Sequence, residues 1–402
     1  LVLLLVKIFI SGTIGDQYLV FAFAVGILLI ETLLLIRVWK GVFSDIPAWL
    51  ILPCILVVGL VSPFGWMLSL TSIHHASILG GQFFFLAGLY TISTAFLDDS
   101  SISKRGLFIT GILWICAIGS RIAQLAPVGF MVILTLGWII NKHRGQYFLS
   151  RTFPLFVSIG LPMFIGAVCL GWYNWARFDS VFEMGTTYAL SGPNLQKHQN
   201  ELFSAQYIPN NIYNYFLLKP DFKKKFPFLG PIHGRREPIL KAIDMPDVYY
   251  VQETAGLLYI APFILFAIPA FITALDFLRR GPAFFRESSP DIHFRWLTIS
   301  LLGSFLSSLL FFLIFFWVGV RYQADLMPPL IILSVIGFGQ IYRHLVQKTT
   351  IRILYTALGL VLAAITMVNS NLIAISVNSA HYREFNPELW KQLTRFFNNL
   401  LH

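Results

Sequence analysis

Arg121 follows Gly119-Ser120 in an interval, Leu107 to Ile140, in which it is the one charged residue. An ionisable group between two apolar runs costs roughly 2.5–3.5 kcal/mol to insert, and it marks a functional position unless it snorkels to the headgroups as an anchor. A second corner, Arg321-Tyr322-Gln323-Ala324-Asp325, opens in the same way on an arginine. Arg321 and Asp325 are four apart and can pair to hold a short loop. A guanidinium in either corner suits phosphate oxygens, which it meets with paired donors, and Tyr322 stands beside it. Arg177, Asp179 and Glu183 form a third group, among Trp172, Tyr173, Trp175, Phe178 and Phe182. That aromatic setting can lower the local dielectric and perturb a carboxylate, so a general acid or base role would fall to Glu183.

The other polar clusters read as less chemical. His74-His75 cannot chelate one ion, because adjacent side chains diverge and no third ligand stands in that loop. The pair reads as a polar group at the membrane interface, and no metal site is expected. Asp98-Asp99, beside Ser100, Ser101 and Ser103, reads as a solvated loop. Lys223–Lys225 and Arg235-Arg236 read as a solvated face or an attraction to anionic headgroups. There is no phosphate-binding glycine loop, no Gly-x-Ser-x-Gly and no His-Glu-x-x-His. No cofactor is fixed by the sequence, a divalent cation being the one admitted.

The elements that must position these residues follow from composition. With 56% hydrophobic and 12% charged residues and a mean hydropathy of +0.72, 402 residues have too little polar surface to coat a soluble globule. The chain reads as an all-α polytopic membrane protein. Cys54, Cys116 and Cys169 fall inside apolar runs and read as small core residues. The formal charge of +10 gathers at the ends of apolar runs, which makes it a topology signal and argues against a nucleic-acid partner.

At about 20 residues per crossing, ten complete spans are expected: Tyr18–Ile36, Ala48–Leu60, Ala76–Phe96, Leu107–Ile118, Ile122–Ile140, Phe153–Leu170, Gly256–Leu275, Leu297–Val320, Leu326–Tyr342 and Ile351–Val368. Leu107 to Ile140 is too long for one span and short for two. Breaking it at Gly119-Ser120-Arg121 gathers Arg37, Lys40, Lys104, Arg105, Lys142, Arg144, Arg151, Arg279, Arg280, Arg286, Arg295, Arg343, Lys348 and Arg352 on one face, against Arg121 and Arg321 in the opposite short loops. The positive-inside rule assigns the basic face to the cytoplasm. Residues 171–255 then form a long external loop region, and residues 372–402 an external tail. Two helices are expected to lie at the interface, Pro209–Leu218 with its Tyr and Phe, and the tail from Asn386 to Leu401. Residue 1 is Leu inside an apolar run, so upstream sequence is expected, with Leu1–Ile10 half a span or an interfacial helix.

Gly119-Ser120-Arg121 opening a span, Trp172 to Gly185, and Arg321-Tyr322 through Asp325 followed by Pro328 together resemble the bacterial multispanning glycosyltransferases of the GT-C class, related to protein O-mannosyltransferases and lipid A aminoarabinose transferases. The resemblance implies a polyprenyl-phosphate sugar donor, membrane lipid as a partner and transfer to an acceptor hydroxyl at the external, periplasmic face of a bacterial cytoplasmic membrane. With such a donor, Arg121, Arg321 and Tyr322 are expected to bind the phosphate, the arginines through their paired donors, and the topology gathers Arg177, Asp179, Glu183, Asp325, His74 and His75 around the substrate cleft. The resemblance also implies a catalytic base in a first external loop upstream of Leu1, since Leu1–Asp16 would lie late in that loop. The competing readings are a lipid-linked glycan transporter and a non-catalytic membrane assembly subunit. Matching broken helices in two halves would point to the first, and tolerance of the external Arg and Glu residues to substitution to the second.

Overall fold

A computed structural model describes residues 15–61, 64–69, 71–96, 102–143, 148–183, 185, 188, 195, 197–242, 244–279 and 290–399. Leu1–Ile10, Asp98-Asp99, Arg144, Arg280 and Arg286 lie outside the described residues.

The molecule is a helical bundle. In chain order the helices are α1 (Asp16–Val42), α2 (Ile51–Leu60), α3 (Phe64–Ser69), α4 (Ile73–Ala95), α5 (Lys104–Ser120), α6 (Leu125–Lys142) and α7 (Phe148–Phe178). There follow α8 (Ile208–Ile212), α9 (Leu257–Ile260), α10 (Ala267–Arg279), α11 (Pro290–Leu313), α12 (Val320–Gln323), α13 (Met327–His344), α14 (Thr349–Val377), α15 (Ser379–Phe385) and α16 (Pro387–Asn399). Seven helical segments are long and apolar enough to cross a membrane: Asp16–Val42, Ile73–Ala95, Ile122–Lys142, Phe148–Phe178, Pro262–Arg279, Ile292–Leu313 and Thr349–Val377. Ala48–Leu60 is shorter. This defines an all-α polytopic membrane protein.

The bundle is built around α13, which is buried from Met327 through Gly339. A helix apolar on all sides must be surrounded by other helices, and α10, α11 and α14 pack on it. Gly337 allows this: a Cβ there would lie 1.9 Å from the Phe266 carbonyl oxygen. Small residues also let α5 and α7 approach, with a Cβ at Gly111 falling 2.4 Å from the Ile159 carbonyl oxygen. Buried hydroxyls of Thr110, Thr152, Ser300 and Ser334 donate to carbonyls four residues back. That satisfies them inside their own helices where water is excluded.

The Leu107–Ile140 interval is a hairpin. Arg121 has extended backbone between α5 and a 3-10 turn, Ile122–Gln124, that leads into α6. Elsewhere the apolar runs misplace four boundaries, one of them at α14, which continues past the expected end at Val368 to Val377 and takes the first residues of the expected tail, 372–377, into the helix. The Gly256–Leu275 span is broken where Pro262 supplies no N–H, giving α9, a 3-10 segment Pro262–Phe266, and α10. The Leu297–Val320 run leaves the helix at Leu313, and Trp317–Val318 pairs as a parallel strand with Tyr250–Val251. The sixth expected span continues past Leu170 to Phe178, so Trp172 through Arg177 are its last turns and not loop. No breaker interrupts them before Asp179, whose φ of 55° is left-handed.

Two ends of the bundle are chemically distinct. At one, Arg37 donates to Ser93, Arg343 pairs with Asp45 at 3.1 Å, and Arg295 lies over the Phe277 ring. At the other meet the Arg121 and Arg321 corners, the segment around Tyr207–Thr254, and the tail.

Candidate functional site

The site is held by one buried carboxylate. Asp325 sits in the turn between α12 and α13, and its side chain is 1% exposed. Arg121 Nη2 meets its Oδ2 at 2.6 Å, while Gln124 Nε2 at 3.2 Å and Gln82 Nε2 at 3.3 Å donate to Oδ1. Three elements remote in sequence, α4, the α5–α6 corner and the α12–α13 turn, therefore converge on a single group. Gly81 permits the approach, since a Cβ there would lie 3.2 Å from Arg121 Cβ. Asp325 pairs with Arg121 across the bundle, and not with Arg321 four residues before it.

Burial pushes the Asp325 carboxyl above the usual carboxylate range, against the pull of Arg121 and the two glutamines. With the folded value above the unfolded one, the contribution of this group to stability falls as pH rises through the raised value. A buried ion pair is by itself weak evidence of net stability, because desolvation of both charges opposes their attraction. What it supplies is position, because the Arg121 guanidinium is fixed with its centre 5.6 Å from the Tyr322 ring and 6.0 Å from the Phe312 ring.

Arg321 stands on the same tyrosine. Its guanidinium is 5.0 Å from both the Trp317 and the Tyr322 rings, and Nη2 donates to Tyr322 Oη at 3.1 Å. Burial pushes the Tyr322 phenol up, and the two arginines pull it back. Unlike Arg121, Arg321 has no carboxylate in ion-pairing distance among the described residues, and its buried Nε donates to nothing. Two cations thus flank one ring, one neutralised and one with donors to spare. The sequence alone treats the two arginines alike; the structure separates them.

A polar clamp covers this end. Pro209 lies in the first turn of α8, which runs on through a wider turn, Tyr213–Leu217. Asn211 Nδ2 donates to the carbonyls of Phe312, Leu313 and Phe315, and its Oδ1 accepts from Tyr249 Oη. It closes the end of α11, where the last carbonyls lack helical partners. Asn210 and Asn214 hold the Arg235–Ile239 segment in the same fashion. Gln323 Nε2 donates to the Ala255 carbonyl, tying the clamp to the Arg321 corner. Asn211→Leu removes these donors at similar volume. It is expected to cost about 2–3 kcal/mol, because the carbonyls stay buried without partners, seen as an earlier thermal unfolding of the protein in nanodiscs.

The remaining expected residues lie apart. His75 is buried with its ring 4.6 Å from that of Trp66, at the start of α4, while His74 is exposed. Arg177, at the end of α7, turns back on its own helix, over Phe178 and onto Tyr173 Oη. No ion pair or hydrogen bond joins Arg177 or Asp179 to the Asp325 cluster among the described residues. Glu183 lies beyond α7, after Val181, whose carbonyl accepts from Asn174. No group of three or more His, Cys, Asp and Glu is arranged to hold a metal ion among the described residues.

Sequence reasoning missed Gln82, Gln124, Asn211 and the buried Tyr215, whose burial pushes its phenol up. A signal existed for Gln124, a polar residue three positions after Arg121 in the same apolar interval. Gln82 shows only as an amide inside an apolar run. It also missed Glu31, buried in α1.

Comparison with known proteins adds no relative: no family model, no curated protein and no solved structure matches the chain.

Proposed function

We propose that this protein is a GT-C-type membrane glycosyltransferase, taking a sugar from a polyprenyl-phosphate donor to an acceptor hydroxyl at the periplasmic face of a bacterial cytoplasmic membrane. The single observation that supports the reading most is Arg321, a half-buried guanidinium without a carboxylate partner among the described residues, held by Trp317 and Tyr322 beside the ion-paired Arg121. A cation kept unpaired in a low-dielectric setting is costly unless an anion arrives to match it. A phosphate monoester or diester matches the guanidinium fork.

In this reading ten segments cross the membrane, Ala48–Leu60, Lys104–Ser120 and Met327–His344 joining the seven long apolar helices, and the clamp and the tail lie at the external interface. The acceptor oxygen bonds to the anomeric carbon of the sugar as the bond from that carbon to the phosphate oxygen breaks. The electron pair goes to the phosphate, where Arg321, with Arg121 behind it, stabilises the developing charge. The acceptor proton passes to a carboxylate. Asp325 is excluded from that role, since its oxygens are engaged by Arg121, Gln82 and Gln124.

The test is turnover by the protein in nanodiscs with polyprenyl-phosphate sugars, reading release of the free polyprenyl phosphate. Donor-dependent release supports the proposal. If labelled donor instead crosses the bilayer with its sugar still attached, a transporter is indicated and the transferase reading fails.

A further inference from the structure

A second site lies away from the arginines. Glu31 stands in the middle of α1, a helix otherwise apolar from Tyr18 to Ile36 except for Thr32, and only 1% of it is exposed. Among the described residues it has no ion-pair or hydrogen-bond partner, and its Oε1 is buried without one. It lines a crevice of about 110 Å³, with Phe21, Leu28, Gly59, Phe64 and Leu68 among the walls. Phe21, Leu28 and Leu68 are themselves exposed on the outside of the bundle, so the crevice opens sideways towards lipid. From Phe21 to Glu31 is ten residues, roughly 15 Å along a helix.

These facts conflict with a merely structural role. An unpaired carboxylate inside hydrocarbon is far too costly to persist, so the group is carried as the uncharged acid. An uncharged acid still has an O–H to donate and a carbonyl oxygen to accept with, and burying both unmatched costs about 1–3 kcal/mol per group. A wholly apolar occupant of the crevice would leave that cost in place. An amine would have to form a charged pair in hydrocarbon, where desolvation exceeds the attraction unless further donors are present. The crevice walls supply none.

We infer that the α1–α2–α3 crevice binds an uncharged, hydroxyl-bearing amphiphile whose hydroxyl hydrogen-bonds to the Glu31 carboxyl while its chain lies along the groove towards Phe21 and Leu68. The inference does not depend on the transferase reading, since the crevice contains none of the residues of the arginine cluster.

The experiment uses the full chain in nanodiscs with a hydrophobic carbodiimide as reporter. The reagent enters from lipid and reacts with protonated carboxyls: the carboxyl oxygen bonds to the central carbon, the proton passes to a nitrogen, and the adduct rearranges to a stable N-acylurea. Labelling at Glu31 near neutral pH, located by mass spectrometry of peptides, is expected, with complete loss in Glu31→Gln. Dodecanol should slow labelling at least tenfold, and dodecane and dodecylamine should slow it by less than twofold. Thermal shift keeps the test independent of the reagent: dodecanol should stabilise the wild type and Glu31→Gln, whose amide also offers a donor and an acceptor, but not Glu31→Leu. Absence of labelling at Glu31, or equal protection by dodecane, would overturn the inference. So would an equal dodecanol shift in Glu31→Leu.

Discussion

Arg121→Ala is expected to lower folding stability by about 3–5 kcal/mol, the cost of leaving a buried charge without its partner. Asp325 would be stranded with two glutamine amides and no cation, and it would take up a proton. Asp325→Ala should cost a similar amount, since it leaves Arg121 inside the bundle between Phe312 and Tyr322 with nothing to neutralise it. The double variant Arg121→Met with Asp325→Leu removes both charges at comparable volume and should lose much less than the sum of the single changes, a non-additivity of about 2–3 kcal/mol. Thermal or denaturant unfolding in micelles at neutral pH reads all three. Strictly additive losses would mean that the 2.6 Å pair does not couple the α5–α6 corner to the α12–α13 turn.

Arg321→Ala should behave in the opposite way, keeping the fold and losing the chemistry. Its described contacts are two aromatic faces and one phenol, worth together about 1–2 kcal/mol in a half-exposed setting. Donor-dependent transfer should fall about 100- to 1000-fold, the scale seen when one preorganised donor to a developing anion is removed. Arg321→Lys keeps the charge but not the fork, and should recover part of the rate while still binding donor more weakly. A variant with normal turnover and normal stability would remove Arg321 from the site. The two arginines, which look equivalent in sequence, are thus separable by experiment, one through stability and the other through rate.

Much of the scaffold could be read from the chain because its determinants are local and one-dimensional. Apolar length marks the helices, and the alternation of basic loops marks the hairpin at Gly119-Ser120-Arg121, where Arg121 does stand between two helices. What the pattern could not carry was pairing. Asp325 chooses Arg121, about two hundred positions away, over Arg321 at helical spacing, because the turn into α13 buries its carboxylate facing α4 and the α5–α6 corner. Gln82 and Gln124 matter through that same convergence, which no window of sequence contains.

The polar stretch after α7 shows the second kind of limit. Trp172 to Arg177 reads as loop by polarity, yet it continues a helix that nothing interrupts until Asp179 turns left-handed. Pro209–Leu218 reads as a surface helix by its aromatics, yet Asn210, Asn211 and Asn214 are buried and bind carbonyls of two other segments. Asparagine favours loops and caps for local reasons; its use as a clamp between distant backbones is a tertiary fact.

The central claim is that the Arg321 corner receives the phosphate of a polyprenyl carrier, and it is tested most directly by binding of the carrier itself, without reference to sugar or acceptor. Wild-type protein in nanodiscs, titrated with polyprenyl phosphate and with the matching polyprenol, should show a saturable rise in Tm with the phosphate only. That rise should vanish in Arg321→Ala and weaken as salt is raised. An equal rise with polyprenol, or an undiminished rise in Arg321→Ala, would contradict the account.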